Sequence, residues 1–320
     1  MILAVSETVA ARLVTLKDAI ALMESAFASL DRGESRLFPF VAGHGSDPAT
    51  RFGAKLGYDG ERRTPGLKVG SYWPRNVERG LGNHASTTLL LDDDTGAPRA
   101  LVAATHLTAL RTAASDAVAV KHLARKDASV LAVVGAGHQA YWDALAVAEV
   151  RKLEQVLVWA REASAAEALA ARLRTAGLPA QASDLRPALA RADIVSTATA
   201  SRSALFAAGD VRPGTHLSAM GADGVGKQEL DPALLLGASL WADLPTQSIV
   251  IGEFQRLPAA LAGGVQPIGG LISGRLPGRC GDEEITIYDS SGVALQDLAI
   301  CALALERAQA EGSVQTLDLS

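Results

Sequence analysis

A chain of 320 residues, 48% of them apolar and with a formal net charge of −5, can bury a sizeable core in one or two domains. The mild charge gives no reason to expect nucleic acid or a membrane surface as partner, and no run approaches the roughly 20 apolar residues of a membrane span. Two cysteines, Cys280 and Cys301, make no disulfide framework, and the opening MILAVSETVAARLVTLKDAI lacks a basic leader with a cleavage site, so the expectation is mature protein in a reducing cytoplasm.

Leu16, Ile20, Met23, Phe27 and Leu30 recur at helical spacing and predict a helix over 16–31. A polar, glycine-rich connection follows from Gly43 to Gly66. LKVGSYW (67–73) and STTLLLDDD (86–94) read as strands, and DDDTG is a turn that pairs the second with RALVAAT (99–105) as a hairpin. A helix is expected over 106–125, then the strand–turn–helix SVLAVVGAGHQA, with its helix running to about residue 150. Strands at VLVWA (156–160), DIVSTAT (193–199), THLSAMGAD (215–223), SLWAD (239–243) and ITIYDSSG (285–292) alternate with helical segments such as SAAEALAARLRTAG (164–177). That alternation predicts a parallel α/β sheet. A last helix starts at Val293, and the Gly/Pro-rich stretch 252–284 carries no assignable pattern. The fold class expected is α/β. A Rossmann dinucleotide-binding domain (113–292) joins an α+β domain for substrate binding and dimerisation, built from 1–112 and 293–320.

Gly135-Ala136-Gly137-His138-Gln139-Ala140 is a GxGxxA pattern that follows a strand and opens a helix, the context that makes it informative. Gly135 permits the tight turn, Gly137 lets the backbone approach a pyrophosphate, and Ala140 lets helix and strand pack closely. The helix N-terminus offers unpaired N–H groups to the phosphates. The second strand ends Trp159-Ala160-Arg161-Glu162. Arg161 would accept a 2′-phosphate and leans towards NADP, whereas Glu162 opposes it. The cofactor expected is NAD(P)H, with the preference between NADH and NADPH open.

GLKVGSYWPRN (66–76), STTLLLDDDTGAPRALV (86–102), LTALRTAAS (107–115), VVGAGHQA (133–140), MGADGVGKQEL (220–230) and SGVALQDLA (291–299) together resemble the ornithine cyclodeaminase/mu-crystallin family over nearly the whole chain. The resemblance implies a homodimer and assigns Lys68 and Arg111 to the substrate carboxylate and Asp223 to catalysis. On the cofactor side it assigns Thr112, Gln139, Met220 and Lys227, with Ser86 in the strand facing the cofactor. Gly135, Gly137, His138, Arg161, Thr197 and Ser290 complete the expected dinucleotide set, and no metal is expected. The chemistry agrees: reducing an amino-acid imine needs a cationic clamp for the carboxylate and an anion beside the iminium.

Ornithine-acting members carry an acidic residue 13 positions before the substrate lysine, where this chain has Lys55. Two like charges about 4 Å apart repel by roughly 4 kcal/mol at an effective dielectric near 20, which argues against a cationic substrate. FGAKLGYD, GLKVGSYWPRN, GNHASTT and QSIVIGE look most like the iminosuccinate-reductase branch. The expected reaction is therefore NAD(P)H-dependent reduction of an α-imino diacid, iminosuccinate to L-aspartate, with Lys55 and His84 near the distal carboxylate. The alternatives are a redox-neutral ornithine or lysine cyclodeaminase, a reductase of cyclic ketimines or pyruvate imine, and a non-catalytic NADP-binding protein.

Overall fold

Alternating apolar residues between turn signals build the first hundred residues into a sheet with two helices. In the computed structural model, which describes residues 1–318, these are β1 (Ile2–Val5), α1 (Glu7–Leu13), α2 (Leu16–Asp31), β2 (Arg36–Leu37), β3 (Val41–Gly43), β4 (Arg51–Asp59), β5 (Thr64–Tyr72), β6 (His84–Leu91) and β7 (Pro98–Ala103). Thr15 and Asp18 start α2 with a reciprocal capping box, each side chain bonding the other's backbone N–H, and Ile20, Met23 and Phe27 are buried along one face as their spacing requires.

The expected βαβ alternation follows. Its elements are α3 (Thr105–Leu123), β8 (Val130–Val134), α4 (His138–Val150), β9 (Gln155–Trp159), α5 (Ala163–Thr175), β10 (Ala180–Ala182), α6 (Leu185–Leu189), β11 (Ile194–Thr197) and β12 (His216–Ala219). Next come α7 (Pro232–Leu235), β13 (Ser239–Ala242), α8 (Pro245–Ile251), β14 (Gln266–Pro267), α9 (Ile268–Ile272) and β15 (Thr286–Asp289). The stretch left unassigned over 252–284 holds 3₁₀ turns, β14 and α9. α10 (Ala294–Glu311) and β16 (Gln315–Leu317) close the chain.

Two compact units result, Met1–Arg111 with Val293–Ser320 and Thr112–Gly292, the division falling inside α3. In the second, the eight parallel strands run β10–β9–β8–β11–β12–β15–β13–β14. The strand order reverses between β8 and β11, which makes this a doubly wound Rossmann sheet. Both of its faces are buried. Leu131, Val133, Val156 and Val158 pack on α4 and α5, while Val134, Leu157, Val195, Leu217 and Ile287 pack on Leu189, Phe206, Leu234 and Phe254. Hence the strands read as continuous apolar runs.

In the first unit the sheet order is β16–β1–β7–β6–β5–β4–β2, with β3 also pairing β4. β4 corrects the expectation of a connection from Gly43 to Gly66. Its alternation is masked by Gly53 and Gly57, which are glycines because other groups press on them. A β-carbon at Gly57 would lie 3.0 Å from Ala294 Cβ, and one at Gly66 on β5 would lie 2.8 Å from Leu298 Cδ2. Bare backbone at these two positions lets the first turns of α10 settle onto the sheet.

Candidate active site

The β4–β5–β6 register decides which side chains share a face. Lys55 pairs with Lys68 and Lys68 with Thr88; one step along, Gly53 pairs with Gly70 and Gly70 with Ser86; a further step pairs Tyr72 with His84. Directly paired residues point to the same side, and so do residues two apart on one strand. Lys55, Lys68, Ser86 and His84 therefore lie on the face that α10 covers at Gly57 and Gly66. A β-carbon at Gly70 would sit 3.7 Å from Lys68 Cε and 4.0 Å from His84 Nε2, which puts the imidazole beside the lysine stem.

Lys68 and Arg111 are buried, and both bind Asp297 in the first turn of α10. Lys68 Nζ donates to Asp297 Oδ1 at 2.9 Å and to Thr108 Oγ1 at 3.4 Å; Arg111 Nε reaches the same Oδ1 at 3.1 Å and Arg111 Nη1 reaches Gln296 Oε1 at 3.3 Å. Thr108 also shares a hydrogen bond with Ser86, 2.9 Å apart. Burial, with Arg111 and Lys55 adding repulsion and Asp297 opposing, pulls the Lys68 ammonium down to about 8. Burial pushes the Asp297 carboxyl up, but Lys68 and Arg111 outweigh it and hold the group below its ordinary value. Asp297 Oδ2 is buried without a hydrogen-bond partner.

Sequence reasoning missed Asp297, although a signal was present. A charged residue amid the apolar run VALQDLAICALAL must face a cationic partner or pay heavily for burial. Arg111 is presented by α3, whose first N–H groups, Thr105 at 3.1 Å and His106, donate to the Glu7 carboxylate.

In the second unit the glycine turn has the form a dinucleotide needs. Gly135 has φ of +121°, and a β-carbon there would meet Ala198 O at 2.8 Å; at Gly137 it would meet nothing within 4 Å. The turn thus needs glycine at the first position and leaves open space over the second, at the mouth of a 13-residue helix with no side-chain cap. These features fit a pyrophosphate. His138 is exposed, and Trp142 Nε1 donates to its Nε2 at 3.2 Å, which leaves Nδ1 as the protonated nitrogen of a neutral ring. Partial desolvation of the ring against the helix, aided by Arg172, lowers its pKa in agreement. Gln139 Nε2 donates to buried Asp143 Oδ1 at 2.6 Å, which fixes the amide from below. Replacing Gly135 with alanine should destabilise the protein by about 1–3 kcal/mol and weaken NADH binding at least tenfold, as read by denaturant unfolding and NADH fluorescence titration. Wild-type behaviour in both would refute this account of the turn.

Asp223 lies in the loop after β12, with its side chain 60% exposed and ion-paired to Lys227, which also donates to Gly221 O at 3.2 Å. A second missed residue, Glu229, supports this loop. Fully buried, it accepts from Thr197 Oγ1, Thr199 N and Thr199 Oγ1, each at 2.7 Å, and from Gly221 N at 2.9 Å. One carboxylate so ties the loop after β11 to the loop after β12. Thr197 is held beneath the surface, its hydroxyl committed to Glu229. Met220 and Thr112 are buried, and buried Ser290 donates to Asp243 Oδ2 at 3.0 Å. Arg161 is exposed just past β9.

Residues 1–312 match the ornithine cyclodeaminase/mu-crystallin family. The chain belongs to that family. Among its members, the iminosuccinate reductase of Paracoccus denitrificans is 41% identical over 99% of this chain and 100% of its own length. The crystal structure of that reductase in complex with NAD+ superposes with a TM-score of 0.92, covering 99% of both chains. An archaeal alanine dehydrogenase dimer with bound NAD superposes at 0.93 with 31% identity, covering 100% of this chain and 99% of that one. The Thermococcus litoralis Δ1-pyrroline-2-carboxylate reductase in complex with NADH and L-proline also gives 0.93, with 29% identity over 99% of this chain and 100% of that one.

Proposed function

We propose that this member of the family is an NAD(P)H-dependent imine reductase that converts iminosuccinate to L-aspartate. The observation that carries the substrate is the cross-strand pair Lys55–Lys68, two ammonium groups on one face of the sheet with Arg111 joined to the second through Asp297. A face so rich in cations favours an anionic substrate with two carboxylates over a diamine.

Arg111 and Lys68 take the α-carboxylate, the guanidinium as a two-pronged donor and the ammonium as a point charge. Lys55 and His84 take the distal carboxylate. Asp223 stabilises the protonated imine nitrogen and orients the proton it carries. Gly135, Gly137 and Gln139 at the mouth of α4 would hold the dinucleotide, which would supply the hydride when bound. Residues 1–112 with 293–320 are the substrate-binding and dimerisation domain, and 113–292 bind the dinucleotide. The homodimer is supported by exposed Val41, Phe52, Leu56 and Val69 on the opposite face of β3, β4 and β5, an apolar strip that a second copy would cover. The enzyme is placed in the cytoplasm, where NAD(P)H is at hand.

The deciding experiment is steady-state oxidation of NADH and NADPH with oxaloacetate plus ammonia against pyruvate plus ammonia. Preference for the four-carbon imine supports the reading, and no oxidation at saturating imine rejects it. Because the clamp needs a charged Lys68, kcat/KM should fall as pH rises through about 8. The sign follows from the lowered pKa: the cation is present below that value and lost above it. Lys68→Arg should move this alkaline limb above pH 10, and an unmoved limb would assign it to another group.

A further inference from the structure

The edge strands β2 and β3 both pair with β4, but not in one register. Arg36 and Leu37 face Tyr58 and Gly57, whereas Val41, Ala42 and Gly43 face Ala54, Gly53 and Phe52, one residue out of step. One extra residue is therefore inserted between Leu37 and Val41, and such an insertion turns the side chains beyond it to the other face of the sheet. Without it, Phe40 would point with Ala54 and Leu56, away from the lysines. With it, Phe40 alternates with Val41 and points to the face of Lys55. Two contacts agree. A β-carbon at Gly53 would lie 2.6 Å from Phe40 Cε2, and Lys55 Nζ lies 5.5 Å from the centre of the Phe40 ring.

Gly53, Gly70 and Ser86 form the row next to Lys55–Lys68–Thr88, so beside the ammonium groups the sheet presents two bare glycines. The Phe40 ring closes the Gly53 end of that floor, and His84 flanks the Gly70 end. Phe40 remains 40% exposed, a large apolar side chain half open to solvent on a cationic face. An aromatic face within about 6 Å attracts an ammonium and limits where it can swing.

We propose that Phe40 is a specificity-determining residue, turned inward by the bulge to hold the Lys55 ammonium over the glycine floor and to wall off the space where the second carboxylate of the substrate sits. The inference rests on the dicarboxylic-imine reading above. Phe40 acts through Lys55 and through shape.

The test compares Phe40→Leu, which keeps apolar bulk without the π face, with Phe40→Trp, which keeps the face. Succinate serves as a dead-end dicarboxylate, titrated calorimetrically into the NADH-loaded full-length protein. Phe40→Leu should weaken succinate binding about five- to tenfold and lower the kcat/KM ratio of oxaloacetate–ammonia over pyruvate–ammonia by a similar factor; Phe40→Trp should stay within about twofold of wild type. NADH affinity should hold in both, reporting an intact fold. Unchanged succinate affinity and an unchanged ratio in Phe40→Leu overturn the role of Phe40 and leave the reaction standing. Weakened succinate binding in an enzyme that reduces no four-carbon imine supports Phe40 and overturns the reaction. A wild-type protein that neither binds succinate nor reduces the imine overturns both.

Discussion

Asp223→Asn should lower kcat by about 10²- to 10⁴-fold while NADH binding stays close to wild type. The amide keeps the shape of the side chain but removes the negative charge that the proposed mechanism uses to stabilise a protonated imine. The fold has little at stake. Asp223 sits in an exposed loop, and its ion pair with Lys227 is of the solvent-screened kind that contributes little. Glu229, which ties the loop down, is untouched by the change. The loss should therefore appear in turnover and not in the unfolding midpoint. Steady-state NADH oxidation and fluorescence titration on one preparation measure both, and a kcat within threefold of wild type would remove Asp223 from the chemistry.

Asp297→Ala should cost about 3–5 kcal/mol of stability, because it leaves two buried cations, Lys68 and Arg111, without their shared anion. Such a loss is large against a typical folding free energy of about 5–15 kcal/mol. Asp297→Asn is the milder probe, since its amide oxygen still accepts one hydrogen bond. It should move the alkaline limb of kcat/KM below pH 8. The sign is set by the pair: Asp297 favours the charged form of Lys68, so neutralising it lets burial and Arg111 pull the ammonium's pKa down further. A limb that stays in place, or moves up, would show that Lys68 titrates independently of Asp297. Thermal or urea unfolding of both variants tests the stability claim, and wild-type midpoints would reject it.

The parts of the site legible in the sequence are those built by near neighbours in the chain. Gly135 and Gly137 announce the dinucleotide turn because strand, turn and helix N-terminus are consecutive, and the backbone demands of that turn fall on those two residues. Lys55 and Lys68 are legible as charges of one sign, but their cross-strand pairing depends on β4, which the sequence pattern does not reveal. Glu229 stands within the MGADGVGKQEL landmark, yet its task appears only when Thr197, Thr199 and Gly221 are seen around it. β4 escaped detection because its glycines erase the alternation that marks a strand, and they are glycines on account of Phe40 and α10, elements remote from the pattern being read.

The sequence alone determined the Rossmann segment and the family, because periodicity, turn chemistry and residue type are written locally. Tertiary structure alone decided that Asp297, 229 positions from Lys68, joins that lysine to Arg111, and that one inserted residue turns Phe40 inward. The physical reason is common to both. A buried charge pair and a strand register are properties of two segments brought together, and neither segment by itself specifies its distance from the other.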